Sequence, residues 1–256
     1  MPTERQILAR ERQRAKERFR VARVSEREYM ARLTGVGREV GKLINGFMTR
    51  GGEITDPQAL QQSLTSYSIT LRPWAAAVGE TMIARVDSQN YTAWKQLSKS
   101  IGSNLAKEID YAPVGVTMRR LLGEQIHYIT SIPTDAAERV HALTLEGLLG
   151  GRRAEDIRRD ILRSSDVSVS KAQLIARTEV ARTASILTQS RAEYIGSTGY
   201  WWRTMRDSDV RSLHKQLAGT FHKWDDPPVA GERGEKAHAG QIYNCRCYPE
   251  PEIPDL

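Results

Sequence analysis

The chain has 256 residues, which suffice for one large domain or two small ones with a hydrophobic core. Its formal net charge is +7, and 27% of its residues are charged. No apolar run is long enough to cross a bilayer, and the charged N-terminal segment lacks the apolar stretch of a secretory signal. We therefore expect neither a membrane-spanning nor a secreted protein, but one that folds in the cytoplasm and has no membrane partner.

The first segment, residues 4–33, is predicted to form one basic helix because it has no Gly or Pro and spaces its apolar residues at helical intervals. Residues 1–32 hold ten Lys and Arg against five Asp and Glu, a net +5. Such a concentration of charge favours an acidic partner, either nucleic acid or an acidic protein face. A solvated helix whose charges only maintain solubility is the alternative. The candidate contact residues are Arg10, Arg12, Arg14, Lys16, Arg18 and Arg20.

The next segment, residues 35–165, is predicted to be helical throughout, with several breaks. Gly35, Gly37 and Gly41 are expected to loosen its start, and Pro73 is expected to break or kink a helix because proline lacks an amide donor. Asp56 followed by proline is typical of a helix start. Further helices are predicted over residues 74–109, 116–130, 134–149 and 154–162.

The last long helix is predicted over residues 170–195, after which the residue pattern changes. Aromatic and β-branched residues predict strands over 200–205 and 220–224, a short helix after Asp207 or Ser208, and a third strand over 243–248. Trp201, Trp202 and Trp224 are expected to form the core of this part. The predicted fold is mainly α, with a long helical N-terminal region followed by a small α+β C-terminal module. The predicted domains are residues 1–34, 35–165 and 166–256.

Four short motifs stand out in the last third of the chain. They are Ala176-Arg177-Thr178-Glu179, then Asp207-x-Asp209-x-Arg211-x-x-His214-x-x-Leu217-x-Gly219, then Trp224-Asp225-Asp226-Pro227-Pro228, and finally Gly240 followed by Asn244-Cys245-Arg246-Cys247. In combination, these motifs resemble the phage Mu F-like minor head protein family, also called the phage head morphogenesis family. The resemblance covers roughly residues 150–250.

This resemblance implies a minor capsid protein of a tailed double-stranded DNA phage, a structural protein and not an enzyme. It implies a role in head morphogenesis through association with the portal protein, with major capsid or scaffold protein and double-stranded DNA as further partners. The protein would be made in the host cytoplasm and reside inside the head of the virion. The residues expected to build the structural motif are Arg177, Glu179, Asp207, Arg211, His214, Gly219, Asn244, Cys245, Arg246 and Cys247.

The two cysteines suggest a metal site on chemical grounds. In an extended segment, Cys245 and Cys247 point to the same side, so that two thiolates could bind one soft divalent ion. Tetrahedral zinc needs two more ligands, for which His214 and His238 are the nearest candidates in sequence and His222 is a further option. The alternative is no cofactor, with the cysteines packed as small buried residues and His214 hydrogen bonded among them.

Two arginines of the motifs have acidic neighbours in sequence. Arg211 and Arg246 are candidates for an ion pair with Asp207, Asp209 or Glu179, because the planar guanidinium can donate two hydrogen bonds to carboxylates. Ordinary surface charge is the alternative.

Two other function classes compete with phage head assembly. A basic DNA-binding module of non-viral origin would use the N-terminal helix as its contact surface. A cysteine or zinc hydrolase would use Asp207, His214 and Cys245, which include the residue types of a nucleophilic triad. The hydrolase is disfavoured because the sequence around Cys245 shows neither a strained elbow nor a helix start.

Overall fold

The computed structural model describes residues 4–49, 54–101, 112–150 and 153–254, with only the backbone described for 4–22, 97–101, 148, 150 and 154. Long helices come first and a small mixed region follows, which confirms the predicted mainly α fold. None of the helices in the described ranges combines the length and the apolarity that a bilayer crossing requires. The elements are α1 Glu4–Gly46, α2 Pro57–Thr70, α3 Arg72–Ile101, α4 Val114–Gly150, α5 Ala154–Tyr194, β1 Gly199–Thr204, α6 Ser212–Leu217, β2 Phe221–Lys223 and β3 Cys247–Pro251.

The chain divides into two compact units, each assembled from segments that are distant in sequence. The helical unit comprises Glu28–Glu80 and Leu122–Ala176. The module unit comprises Met1–Arg27, Thr81–Leu121 and Arg177–Leu256. The predicted boundaries after residues 34 and 165 divide the chain into consecutive segments, whereas these units are spatial groups, and the domain boundaries stay a prediction.

The helical unit is organised around a buried cluster of aliphatic side chains. Helix α2 begins as predicted: the Asp56 carboxylate accepts a hydrogen bond of 2.9 Å from the backbone N–H of Ala59, and Pro57 occupies the first turn. The chain also breaks before Pro73, because α2 ends at Thr70 and α3 starts at Arg72. The buried cluster consists of Val40, Ile44, Leu60, Leu64, Ala136, Ala137, Val140 and Ile161.

The glycines after residue 34 do not interrupt α1, which continues through them to Gly46. Two of them allow α5 to pack closely on α1. A Cβ added at Gly37 would lie 2.9 Å from the backbone of Val169, and one at Gly41 would overlap the hydroxyl of Ser165. The predicted loosening is therefore wrong, because the missing side chains serve helix packing within the helical unit.

Helices α4 and α5 are each continuous where two helices were predicted. In α4, Pro133 lies inside the helix, and hydroxyl groups supply hydrogen bonds around that turn. Thr134 donates to the carbonyl of Thr130 at 3.0 Å, and Ser131 donates to that of Tyr128 at 2.8 Å. The predicted break after residue 162 is also absent from α5. Ser164 and Ser168 are buried there, and the hydroxyl of Ser168 donates to the carbonyl of Ser164 in its own helix.

In the module unit, a three-stranded antiparallel sheet has the order β2-β1-β3. Strands β1 and β2 confirm the predicted strands at 200–205 and 220–224, whereas β3 begins at Cys247 and not at residue 243. Asn244 has a positive φ of 50°, so the chain turns before it extends. Trp202 and Trp224 are buried as predicted, but Trp201 is 40% exposed and packs edge-on against Phe221.

The close contact at Gly37 gives a matched pair of alanine substitutions on one helix. Gly35→Ala should raise the free energy of unfolding by up to about 1 kcal/mol, because alanine favours helix and nothing lies within 4 Å of the added Cβ. Gly37→Ala should instead lower it by about 1–3 kcal/mol through overlap with Val169. Chemical denaturation of both variants tests the packing. If the two variants unfold alike, the close approach of α1 and α5 is wrong.

Candidate functional site

The centre of the candidate site is His214, which α6 carries into the module with only 1% of its surface exposed. Its Nε2 lies 2.9 Å from the carbonyl oxygen of Ala230. A carbonyl oxygen only accepts hydrogen bonds, so Nε2 carries the proton, and Nδ1 of the neutral ring is left with a lone pair. The indole ring of Trp202 packs edge-on against the imidazole, with ring centres 5.3 Å apart. The ring is thereby fixed in orientation, with Nδ1 directed at the two cysteines.

The sulfur atoms of Cys245 and Cys247 lie 3.6 Å and 3.4 Å from Nδ1 of His214. Each cysteine is 7% exposed. The prediction that both belong to one extended segment is wrong, because Cys245 sits in a turn and donates its N–H to the carbonyl of Ile242 at 3.2 Å. Cys247 is the first residue of β3 and pairs with Thr204 of β1. The turn and the strand nevertheless bring both thiols to the same imidazole nitrogen.

The close approach of these groups shifts their acidities in opposite directions. The hydrogen bond from Cys247 and the neighbouring His214 ring lower the pKa of the Cys245 thiol. The same hydrogen bond, together with burial, raises the pKa of the Cys247 thiol. The hydrogen bond with Cys245 raises the pKa of His214. A negative charge on the Cys245 sulfur is thus favoured over one on the Cys247 sulfur.

Arg246, between the two cysteines, bridges two carboxylates. Its guanidinium donates to Asp207 and, at 2.7 Å, to Asp209, which confirms the predicted ion pair for this arginine. The backbone N–H of Asp209 donates to the Asp207 carboxylate at 3.2 Å, which holds the two acids in place. The carbonyl of Arg246 also accepts the N–H of Met205 at 3.1 Å. The loop after β1 and the cysteine segment are therefore joined by both side-chain and backbone hydrogen bonds.

Arg211 makes a different contact from the ion pair proposed for it. Its guanidinium donates to the carbonyl of Tyr243 at 3.0 Å and lies 4.5 Å from the centre of the Tyr243 ring. The next residue, Asn244, donates its N–H to the hydroxyl of Thr178 at 3.2 Å. Glu179 pairs with Arg182 on the same helix. The turn at 243–244 is thus held between α5 and the segment that precedes α6.

The remaining predicted site residues occupy other places. His238 is outside the thiol group, with its Nδ1 3.2 Å from the hydroxyl of Tyr200, and burial lowers its pKa. His222 contacts the hydroxyl of Thr220. Arg177 lies on the exposed side of α5, 4.0 Å from Glu26. The positive φ of 87° at Gly219 explains the glycine there, whose N–H donates to the carbonyl of Trp202 at 2.8 Å. The six basic residues from Arg10 to Arg20 fall where only the backbone is described.

Several residues that support the site were not among the predicted site residues, although Thr178 and Gly240 lie within the motifs. Ala230 contributes only its backbone carbonyl and Thr178 only its hydroxyl, so the residue types at these positions do not indicate a role in the site. Ser185 donates to the carbonyl of Ala239 at 2.7 Å. Gly240 has a φ of 90°, and an added Cβ would lie 3.1 Å from the carbonyl oxygen of Cys247, so its place before the cysteines was an available signal.

Chemically, the three buried groups can either pack as a hydrogen-bonded cluster or hold a soft cation. A nucleophilic role fits the geometry poorly. The Cys245 thiol is nearly enclosed, and it lies in a turn and not at the start of a helix.

The double ion pair predicts that Arg246 is sensitive to a charge-conserving change. Arg246→Lys should lower the free energy of unfolding by about 1.5–3 kcal/mol, because a lysine ammonium cannot reach both carboxylates with a planar fork. Arg163→Lys is the matched control, since its pair with Asp160 is more exposed, and it should be nearly neutral. Thermal and urea unfolding measure both variants. Equal stability of the two would contradict a structural role for the Arg246 pair.

Comparison with known proteins shows that the part of the chain that carries this site is similar to a phage protein family. Residues 138–249 match the family model described as Phage Mu protein F like protein, a range that starts within α4 and ends within β3. An uncharacterized protein of Haemophilus influenzae is 24% identical over 207 residues, which cover 80% of this chain and 45% of that protein. The chain thus spans less than half the length of this relative, and no solved structure matches it. Residues 138–249 of the chain are thus similar to the Phage Mu protein F like family.

Proposed function

We propose that this protein is a minor head protein of a tailed double-stranded DNA phage and acts in head morphogenesis. The observation that carries the proposal is the family match over residues 138–249, which contains all four sequence motifs. Contacts among residues of two of those motifs support it. His214 contacts both cysteines, and Arg246 joins the cysteine segment to Asp207.

The form of these contacts supports an assembly role better than catalysis. The thiols and the imidazole are buried, and the imidazole contacts both sulfurs, the carbonyl of Ala230 and the indole ring of Trp202. Such a network fixes the conformation of the surrounding loops. A protein that assembles with others benefits from a rigid surface, since less conformational entropy is lost on binding.

The proposed partner is the portal protein of the same phage genome. The tagged full-length chain should copurify with the cognate portal and should be present in purified heads by mass spectrometry. A tail protein from the same genome is the control for non-specific capture. The proposal fails if the chain is neither captured with the portal nor present in heads. Turnover of a substrate that is abolished by Cys245→Ala would instead favour the hydrolase.

Contact with packaged DNA is the second part of the proposal, and it rests on the net +5 of residues 1–32. Replacing Arg10, Arg12, Arg14, Lys16, Arg18 and Arg20 by Gln should weaken binding to double-stranded DNA. It should also flatten the plot of log affinity against log salt, by up to about 0.9 for each phosphate that the variant no longer neutralises.

The matched control replaces the five arginines among these six by Lys and keeps Lys16, so that the charge is unchanged. This variant should bind DNA nearly as the wild type does. An unchanged salt slope in the Gln variant would assign the basic segment to a protein partner or to solubility. Strong DNA binding without any portal binding would favour a DNA-binding module of non-viral origin.

A further inference from the structure

We propose that His214, Cys245 and Cys247 bind one Zn²⁺ ion, which closes the module by linking α6 to the cysteine segment. Among the residues that the structure describes, these three form the group whose potential ligand atoms all lie within 4.8 Å of one another. All three are buried. The proposed role of the ion is to hold α6 against the cysteine segment, and this role does not depend on the proposed function.

The separations between the ligand atoms fit a tetrahedral zinc ion. With Zn–S about 2.3 Å and Zn–N about 2.0 Å, tetrahedral angles place a sulfur and a nitrogen ligand about 3.5 Å apart. The sulfurs of Cys245 and Cys247 lie 3.6 Å and 3.4 Å from Nδ1 of His214. Both distances from the imidazole nitrogen to a sulfur therefore suit one ion shared by the three groups, whose ligand atoms all lie within 4.8 Å of one another.

The bonding of the imidazole also favours a cation over hydrogen bonds alone. Because Nε2 donates to the carbonyl of Ala230, Nδ1 has one lone pair in the neutral ring. Two thiols approach that single lone pair at similar distances. A metal ion bound at that lone pair would contact both sulfurs. A metal-bound histidine that donates its other N–H to a backbone carbonyl is also the common arrangement in zinc sites.

The charges of the group suit a divalent ion. Two thiolates balance the charge of Zn²⁺, so a neutral complex is buried and the cost of burying an unpaired charge is avoided. Binding releases the thiol protons, which couples metal affinity to pH. The fourth position of the tetrahedron falls to a solvent molecule in this proposal, since His238 hydrogen bonds to Tyr200 instead.

The site would add a metal link to the buried cluster of the module, which includes Tyr200, Trp202 and Trp224. The module depends on a three-stranded sheet and a six-residue helix, and the two cysteines lie 31 and 33 residues from His214 in sequence. Ligands so far apart in sequence are not held together in the unfolded chain. Metal binding to them therefore stabilises the folded state.

The first test measures metal directly on the full-length chain, purified without a His-tag or chelator. We expect about one zinc ion per chain by elemental analysis. After removal with a chelator, the protein should rebind added Zn²⁺ in competition with a chromophoric chelator. Co²⁺ in place of zinc should give a thiolate-to-cobalt charge-transfer band and tetrahedral visible bands. Failure of the stripped, folded protein to take up stoichiometric Zn²⁺ overturns the proposal.

The second test uses variants with a matched control. Cys247→Ser and His214→Gln should each weaken Zn²⁺ binding by at least about tenfold, given that even outer groups of zinc sites change affinity by that factor. His238→Gln removes another buried imidazole of the same module and should leave the affinity unchanged. If His238→Gln weakens binding as much as Cys247→Ser, or if the cobalt complex lacks the thiolate band, the assigned ligands are wrong. A positive metal result for a chain that neither copurifies with the portal nor is present in heads would leave the site intact and refute only the proposed function.

Discussion

The module depends on one constraint, which is that the imidazole of His214 is almost completely removed from water. A buried polar ring must find its partners within the protein, since an unsatisfied buried polar group costs about 1–3 kcal/mol. Ala230 supplies a carbonyl to one nitrogen, and Cys245 and Cys247 approach the other. Each partner comes from a different part of the chain. Loop 225–240, the turn at 243–245 and β3 must therefore all be in place before the ring is satisfied.

The bridge made by Arg246 works together with that constraint. The arginine lies between the two cysteines, so its ion pairs with Asp207 and Asp209 fix the backbone of the segment that presents both thiols. Gly240 serves the same segment, because its left-handed conformation and missing side chain let the chain pass close to Cys247. Within the motif, Arg246 therefore fixes the backbone, Gly240 allows a close approach of the chain, and the two cysteines contact His214.

The sequence predicted which residues form this site better than it predicted the backbone conformation around them. Resemblance to a family identified His214 and both cysteines, and residue patterns located β1 and β2. The start of β3 could not be placed, because Asn244 adopts a left-handed conformation that alternation of residue types does not reveal. The partner of Nε2 was equally hidden, since any residue at position 230 offers the same carbonyl.

In the helical part of the chain, residues that predicted helix breaks lie inside continuous helices, because packing outweighs local helix propensity. Pro133 and the serines of α5 have low helix propensity, yet hydroxyl hydrogen bonds and burial keep both helices continuous. The close approach of Gly41 to Ser165 has a consequence for how such proteins diverge. A side chain gained at one of these positions must be matched by a loss of volume at the other. Related chains should therefore vary at positions 41 and 165 in a correlated way, with the summed volume of the two residues held nearly constant.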